Sequence, residues 1–364
     1  MSDEHATGHG ASPAPLVVPG DPPRRIGAGA PSYIVAELSG NHNGSLARAL
    51  ELVAAAKAAG ADAVKLQTYT ADTITMDAPG EWFAIRGGPW DGRRLHELYQ
   101  EAATPWEWHA ELFAVARRLG LGCFSTPFDP TSVDFLEELG CPLYKVASFE
   151  VVDLPLIARI AATGKPVVMS TGMASLPEIA AAVQTLRRGG AGALALLTCV
   201  SAYPARPGDM HLRNIPALAA AFACQAGLSD HTLDATAAIA ATALGGCLIE
   251  KHICLRRADG GPDSGFSLEP AEFAAMVRAV RDAEAALAGG AVFGPGQADA
   301  GSVQFRKSLF TARDLPAGHR IEAADVRCIR PGHGLPPADL PRLLGRRTAT
   351  ALARGTPFSW DQLG

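Results

Sequence analysis

The sequence predicts a closed (β/α)8 barrel, the TIM-barrel form of the α/β class, followed by a small separate module. Three observations carry that expectation. Apolar runs of strand length alternate eight times with apolar patterns of helical period. Glycines punctuate the junctions where a helix must release the chain into the next strand. Two histidines, His231 in Leu228-Ser229-Asp230-His231-Thr232 and His252 in Ile249-Glu250-Lys251-His252, close consecutive strand-like runs. Parallel pairing of those runs brings both imidazoles to one edge of a sheet, the carboxyl edge where such barrels hold their active sites. An open doubly wound sheet is the alternative, but no G-x-G-x-x-G follows the first strand to support its dinucleotide-binding version.

The first 25 residues are rich in Gly, Pro, Ala and His and read as a flexible tail, in which His5 and His9 could bind metal weakly. They lack the basic start and apolar centre of a secretory signal. The barrel is expected over 26–288, with strands near Tyr33 to Leu38, Ala63 to Gln67, Leu121 to Ser125, Leu143 to Ala147, Val167 to Ser170, Ala193 to Cys199, Ala223 to Leu228 and Cys247 to His252. Helix starts are marked by Thr104-Pro105-Trp106-Glu107, Asp129-Pro130 and Ser175-Leu176-Pro177-Glu178, where a side-chain oxygen can cap a free amide. A helix is expected from about Leu233 to Leu244, and left-handed glycine caps at Gly60, Gly120, Gly140, Gly164, Gly190 and Gly246. The stretch from about Met76 to Ala103, with Trp82 and Trp90, interrupts the repeat and reads either as a lid or as an ordered surface insertion. Glycines and small polar residues over 289–301 read as a linker. The compact module over 302–364 then has strand candidates at Ser308 to Ala312 and Val326 to Ile329 and turns at Pro316-Ala317-Gly318 and Pro331-Gly332.

Composition narrows the function classes. A chain of 364 residues, 48% hydrophobic, can bury a sizeable core. A net charge of -5 without a basic run argues against nucleic acid, and no apolar segment approaches the roughly 20 residues of a membrane-spanning helix. Seven scattered cysteines without C-x-x-C suggest neither a disulfide framework nor a zinc knuckle, so a reducing cytoplasm is the expected compartment. Paired imidazoles at strand ends point to a divalent metal, with Mn2+ or Mg2+ expected. Alternation puts Glu250 on the face of His252 and Lys251 on the other, leaving Glu250 to support the metal or the substrate and Asp230 as a weaker orienter of His231.

Longer strings carry a family resemblance. Ala36-Glu37-Leu38-Ser39-Gly40-Asn41-His42-Asn43-Gly44, Val64-Lys65-Leu66-Gln67-Thr68-Tyr69, Ser125-Thr126-Pro127-Phe128, Tyr144-Lys145-Val146-Ala147-Ser148-Phe149-Glu150 and Ser170-Thr171-Gly172-Met173 join the two histidine motifs and Gly260-Gly261-Pro262-Asp263-Ser264-Gly265-Phe266-Ser267. Together they resemble the sialic acid synthase family, most closely its pseudaminic acid branch. Phe305-Arg306-Lys307-Ser308-Leu309 and Arg330-Pro331-Gly332-His333-Gly334-Leu335-Pro336 resemble that family's antifreeze-like, or SAF, domain.

The resemblance implies a metal-dependent condensation of phosphoenolpyruvate with an acylamino sugar in its open aldehyde form, by a domain-swapped homodimer. It assigns Lys65, Lys145, Thr126, Ser148, Ser170 and Ser229 to phosphoenolpyruvate, His231 and His252 to the metal, and Glu150, Tyr203, Glu250, Asp263 and Arg330 to the sugar, with Arg330 reaching in from the partner. Glu37 is the proton-transfer candidate, or else a barrel carboxylate that only pairs with Lys65. Asn41, His42 and Asn43 are further mouth residues, with His42 ranked below the metal pair. Ser201 stands where the sialic enzymes commonly carry Asn, which with Phe149 points to a different sugar. The preferred product is pseudaminic acid, made from 2,4-diacetamido-2,4,6-trideoxy-L-altrose. N-acetylneuraminate or legionaminate synthesis, a Schiff-base aldolase using Lys65 or Lys145, and a non-catalytic sugar-binding protein are the alternatives.

Overall fold

The computed structural model describes residues 13–19, 23–27 and 29–364. His5 and His9 lie outside the described residues. The chain divides into two compact units after Ala288.

Part of the stretch expected to be a flexible tail is structured. Strand β1 (Leu16–Val18) pairs antiparallel with β2 (Arg24–Ile26), and alternation turns Leu16, Val18 and Ile26 inward while Val17 stays exposed. Burying each of those side chains contributes about 1.5–3 kcal/mol, which outweighs the turn-rich composition around them. Gln225 donates its amide to the carbonyls of Pro13 and Ala14 (2.8 and 3.1 Å), and Arg24 pairs with Asp62 at 2.9 Å. Both anchors lie at amino ends of barrel strands, so the hairpin lies against the bottom of the barrel.

Eight parallel strands close the barrel: β3 (Tyr33–Glu37), β4 (Ala63–Thr68), β5 (Gly122–Pro127), β6 (Tyr144–Val146), β7 (Val167–Ser170), β8 (Leu194–Cys199), β9 (Gln225–Asp230) and β10 (Leu248–His252), which returns to β3. The open-sheet alternative is thereby excluded. A helix follows each strand and turns its apolar stripe onto the sheet, as Leu52, Val53 and Ala56 do from Leu46–Ala58. The Ser175 and Asp129 caps form as their spacing predicts, Glu178 accepting from the Ser175 amide at 2.7 Å and Asp129 from Thr131 and Ser132 at 2.7 and 3.2 Å. Thr104 does not cap, because the helix begins at Trp106 with Pro105 before it. The left-handed glycine before β10 is Gly245 (φ 87°), not Gly246. Gly246 instead lets the backbone pass Ala241, whose carbonyl would lie 2.8 Å from an added Cβ.

Register places functional side chains in rows. His252 of β10 lies beside Glu37 of β3, which lies beside Lys65 of β4; Glu250 lies beside Ser229 of β9, and Ser229 beside Cys199 of β8.

In the second unit, β11 (Ser308–Thr311) pairs antiparallel with β12 (Val326–Ile329) over a core that includes Leu309, Ile321, Leu343 and Phe358. The expected linker is not wholly extended, since Gln297–Phe305 forms 3-10 turns that run into the residues before β11. Among the described residues no helix is long and apolar enough to cross a membrane.

Candidate functional site

The carboxyl ends of the barrel strands surround a cavity of about 530 Å³, large enough for small-molecule ligands. Its floor is cationic. Lys65 and Lys145, from β4 and β6, are buried to 4% and 2% exposure, so each charge must be met by a partner. Lys65 forms an ion pair with Glu37, lies 3.6 Å from Glu250 and donates to Thr126 at 3.1 Å. Lys145 donates to Ser170 at 2.7 Å and to the Val146 carbonyl at 2.9 Å. Both lysines, Ser170 and Ser229 line the cavity; Glu37 and Thr126 lie behind Lys65 and do not.

The two carboxylates around Lys65 are driven apart. Burial pushes Glu37 up to about 6 despite Lys65, with Glu250 adding repulsion. Burial acts on Glu250 in the same sense, but Lys65, Lys145 and His231 hold it below its ordinary value. Lys65 stays protonated, burial being overcome by Glu250 and Glu37, whereas burial lowers Lys145. A carboxyl poised near neutrality beside one held ionised is a usual division between proton transfer and electrostatic support.

His231 and His252 meet at the cavity wall with ring centroids 5.3 Å apart. The Val200 carbonyl accepts from His231 Nδ1 at 2.8 Å, which leaves Nε2 as the nitrogen available to a metal; burial would lower the proton affinity of this ring, but the neighbouring Cys199 raises it. His252 Nδ1 is buried without a hydrogen-bond partner, and burial, with His231 next, pushes its proton affinity well down. A neutral buried imidazole with an orphaned nitrogen fits a metal ligand. Among the described residues no third histidine, cysteine or carboxylate completes a protein-only cluster. Asp230 does not orient His231: it points to the outer face of the barrel, where it pairs with Lys251 at 2.7 Å, while the Val200 carbonyl takes the orienting role.

Above the floor, Glu150, Tyr203 and Asp263 line the rim. Burial raises Glu150 to about 7. Ser148 accepts from the Gly172 amide at 3.1 Å, and an added Cβ at Gly172 would lie 2.8 Å from that hydroxyl and 2.9 Å from Ser201 Oγ, so only glycine fits the turn. Arg330 is exposed just after β12, in the second unit.

Of the further residues that line the cavity, Trp90 was named from the sequence only as part of the insertion, and Ile74, Ile85 and Leu95 carried no signal there. From the 76–103 insertion and its approach come Ile74, Ile85, Trp90, Leu95 and Leu98, an apolar wall facing the charged floor. Trp90 donates its indole N–H to the Pro262 carbonyl at 2.7 Å and packs on Tyr203 at 5.4 Å, which pins the insertion to the loop after β10. Trp82, in contrast, is 86% exposed. Ser39 and Gln67 lie between floor and rim, and Cys199 lies beside His231. Ser39 and Gln67 stood in the matched strings, each two residues after Glu37 and Lys65 respectively, and that was their only signal. The residues expected at the mouth do other work: Asn41 is buried and ties Ile253 to Ser267 (2.9 Å each), Asn43 bonds the Gly260 carbonyl at 3.1 Å, and His42 packs edge-on against Trp108.

Residues 52–292 match the NeuB family and residues 306–364 match the SAF domain. The chain is 42% identical to the pseudaminic acid synthase of Helicobacter pylori, over 92% of this chain and 98% of that protein. It is 34% identical to the N,N'-diacetyllegionaminic acid synthase of Legionella pneumophila, over 91% and 94% of the two chains. The crystal structure of the N-acetylneuraminic acid synthetase of Leptospira borgpetersenii, in complex with citrate, aligns with a TM-score of 0.69 at 28% identity, covering 81% of this chain and 96% of that one.

Proposed function

The chain belongs to the NeuB family, and from that premise we propose that it condenses phosphoenolpyruvate with 2,4-diacetamido-2,4,6-trideoxy-L-altrose to give pseudaminic acid and inorganic phosphate. One observation carries the reading: buried Lys65 and Lys145, with Ser170 and Ser229, form a cationic floor directly beside the paired imidazoles and beneath a polar rim. A trianionic substrate needs such a floor, since a cleft can focus a favourable field even in an acidic protein.

Lys65 and Lys145 hold the phosphate and carboxylate, with the Ser148, Ser170 and Ser229 hydroxyls completing the cradle and Thr126 supporting the Lys65 ammonium from behind. Glu150, Tyr203, Asp263 and Glu250 hold the sugar so that its aldehyde carbon meets the phosphoenolpyruvate methylene. As the new C–C bond forms, positive character grows at the enol carbon, water adds there, and the tetrahedral intermediate collapses by C–O cleavage to release phosphate. Glu37, raised by burial and ion-paired with Lys65 behind the cavity lining, would take up and return the water proton by way of the Lys65 ammonium. His231 and His252 would hold a divalent metal, Mn2+ or Mg2+, which supplies polarisation of the aldehyde oxygen. We further propose that the protein acts as a domain-swapped homodimer in which Arg330 serves the partner's sugar site. All seven cysteines are free thiols, in keeping with a reducing cytoplasm.

Phosphate release assayed with phosphoenolpyruvate and each of the trideoxy altrose, N-acetylmannosamine and the legionaminic precursor tests the assignment. The highest kcat/KM is expected for the altrose derivative; an equal or higher value for another sugar transfers the assignment to it. A Schiff-base aldolase is the second reading, favoured only by the lowered proton affinity of Lys145. Borohydride trapping of a covalent adduct on Lys145, without phosphate release, would establish it.

A further inference from the structure

Ser39 is held in a conformation that serine avoids. Its φ is 48°, in the left-handed region that costs a residue with a Cβ about 1 kcal/mol or more. Such strain persists where the surroundings impose it, and here the side chain shows what it secures. The Ser39 hydroxyl donates to Asp263 Oδ2 and accepts from Gln67 Nε2 at 3.3 Å, while the Ser39 amide donates to Glu37 Oε1 at 3.0 Å. Gln67 Nε2 also donates to Glu37 Oε1, at 3.2 Å. The Gly40 amide adds a bond to Asp263 Oδ2 at 3.3 Å. The contact depends on a close approach: an added Cβ at Gly40 would lie 2.6 Å from the Pro262 ring.

The result is a directed chain from the floor of the cavity to its rim. Glu37 and Gln67 set the Ser39 hydroxyl, and that hydroxyl with the Gly40 amide occupies one oxygen of Asp263. Oδ1 takes part in neither bond, so the carboxylate is turned with one oxygen committed to the protein. We propose that Ser39 is a positioning residue that aims Asp263 at the sugar and ties its orientation to Glu37, the strained backbone being the means of reaching it. This rests on the sugar-condensing reading above and names a residue through which that site selects and orients its aldehyde.

Ser39→Ala and Ser39→Gly separate hydroxyl from backbone. Both remove the donor to Asp263, but only glycine relieves the left-handed strain. The expected result is that both variants lose about tenfold or more in kcat/KM for the sugar, a hydrogen bond to a charged group being worth about 1.5–3 kcal/mol, while KM for phosphoenolpyruvate changes little. Ser39→Gly should melt above Ser39→Ala yet be no more active. In the Asp263→Asn background, Ser39→Ala should cause little further loss, because the two act as one unit. Activity that follows melting temperature across the two variants, or full sugar kcat/KM in both, would overturn the proposal, as would full additivity with Asp263→Asn. A parent enzyme that releases no phosphate with any acylamino sugar overturns the functional reading and this inference together; an active parent with unaffected variants overturns this inference alone.

Discussion

His231 and His252 bring two neighbouring imidazoles to the cavity wall, their ring centroids 5.3 Å apart. Each ends an apolar run, and strand alternation fixes which neighbours share their face: Glu250 lines the cavity with them, whereas Lys251 turns outward to Asp230. Lys65, Lys145, Ser170 and Ser229, named through the family strings rather than through periodicity, also line the cavity. What could not be read was contact made across the barrel mouth, because nothing local to Ser39 or Trp90 announces Asp263 or Pro262 as a partner some 170 residues or more away. Orientation around the metal pair was misread too, since Asp230 precedes His231 in sequence yet alternation sends it to the other face. With two imidazoles as the protein's share of the coordination, His231→Ala or His252→Ala is expected to lower turnover by about 100-fold or more and abolish metal binding, as exhaustive chelation should. Calorimetric metal titration beside phosphate release checks this, with circular dichroism showing an intact fold. Full activity in rigorously metal-free parent enzyme rejects the ligand assignment.

Among the elements, the eight strands and their helices follow from periodicity alone, and their observed ends differ from expectation by two residues or fewer at most boundaries. Periodicity failed where short elements depend on distant surfaces. The Leu16–Val18 strand has only three residues, and its burial comes from the barrel it lies against. The 76–103 insertion, open between lid and surface decoration, contributes an apolar cavity wall held by Trp90. In the small module, a polar network takes over part of the work of a modest core. Asp325 is fully buried, receives the Glu322 amide at 2.9 Å, and pairs with Arg313 and His319 at 2.7 and 2.8 Å. Burial would raise its carboxyl, but these partners hold it at about 2. A depressed folded value contributes stability above the unfolded pKa, about 3.9, and loses it as pH falls toward 2. Asp325→Asn is therefore expected to destabilise the module by about 2–4 kcal/mol at neutral pH, with the gap from the parent narrowing below pH 4. Amide exchange across β11 and β12 in the full-length protein measures it, and equal protection of parent and variant at pH 7 refutes it.

For the whole molecule, division after Ala288 puts Arg330 in a different unit from every other residue assigned to the sugar. Under the proposed swap, Arg330→Ala should weaken sugar use by about tenfold or more and leave metal binding unchanged, as a guanidinium supplies fixed donors that no neighbour replaces. Mixing Arg330→Ala with Glu37→Ala subunits should restore about one intact site per heterodimer. A verified heterodimer that remains inactive, with both subunits folded, would place Arg330 in its own chain's site or outside catalysis.

Side chains pack the barrel below the lysines, so the cavity is a vessel filled from the carboxyl end. Anything destined for the lysines must pass the rim before the rim is taken, so the order of arrival is set by depth. Phosphoenolpyruvate should load first and the aldehyde close the queue behind it, giving compulsory-order kinetics in which excess sugar slows the reaction by stranding the deeper seat. Isotope trapping shows which substrate is committed: bound phosphoenolpyruvate chased into product by sugar is expected, and equal trapping of either substrate would mean that the vessel fills in any order.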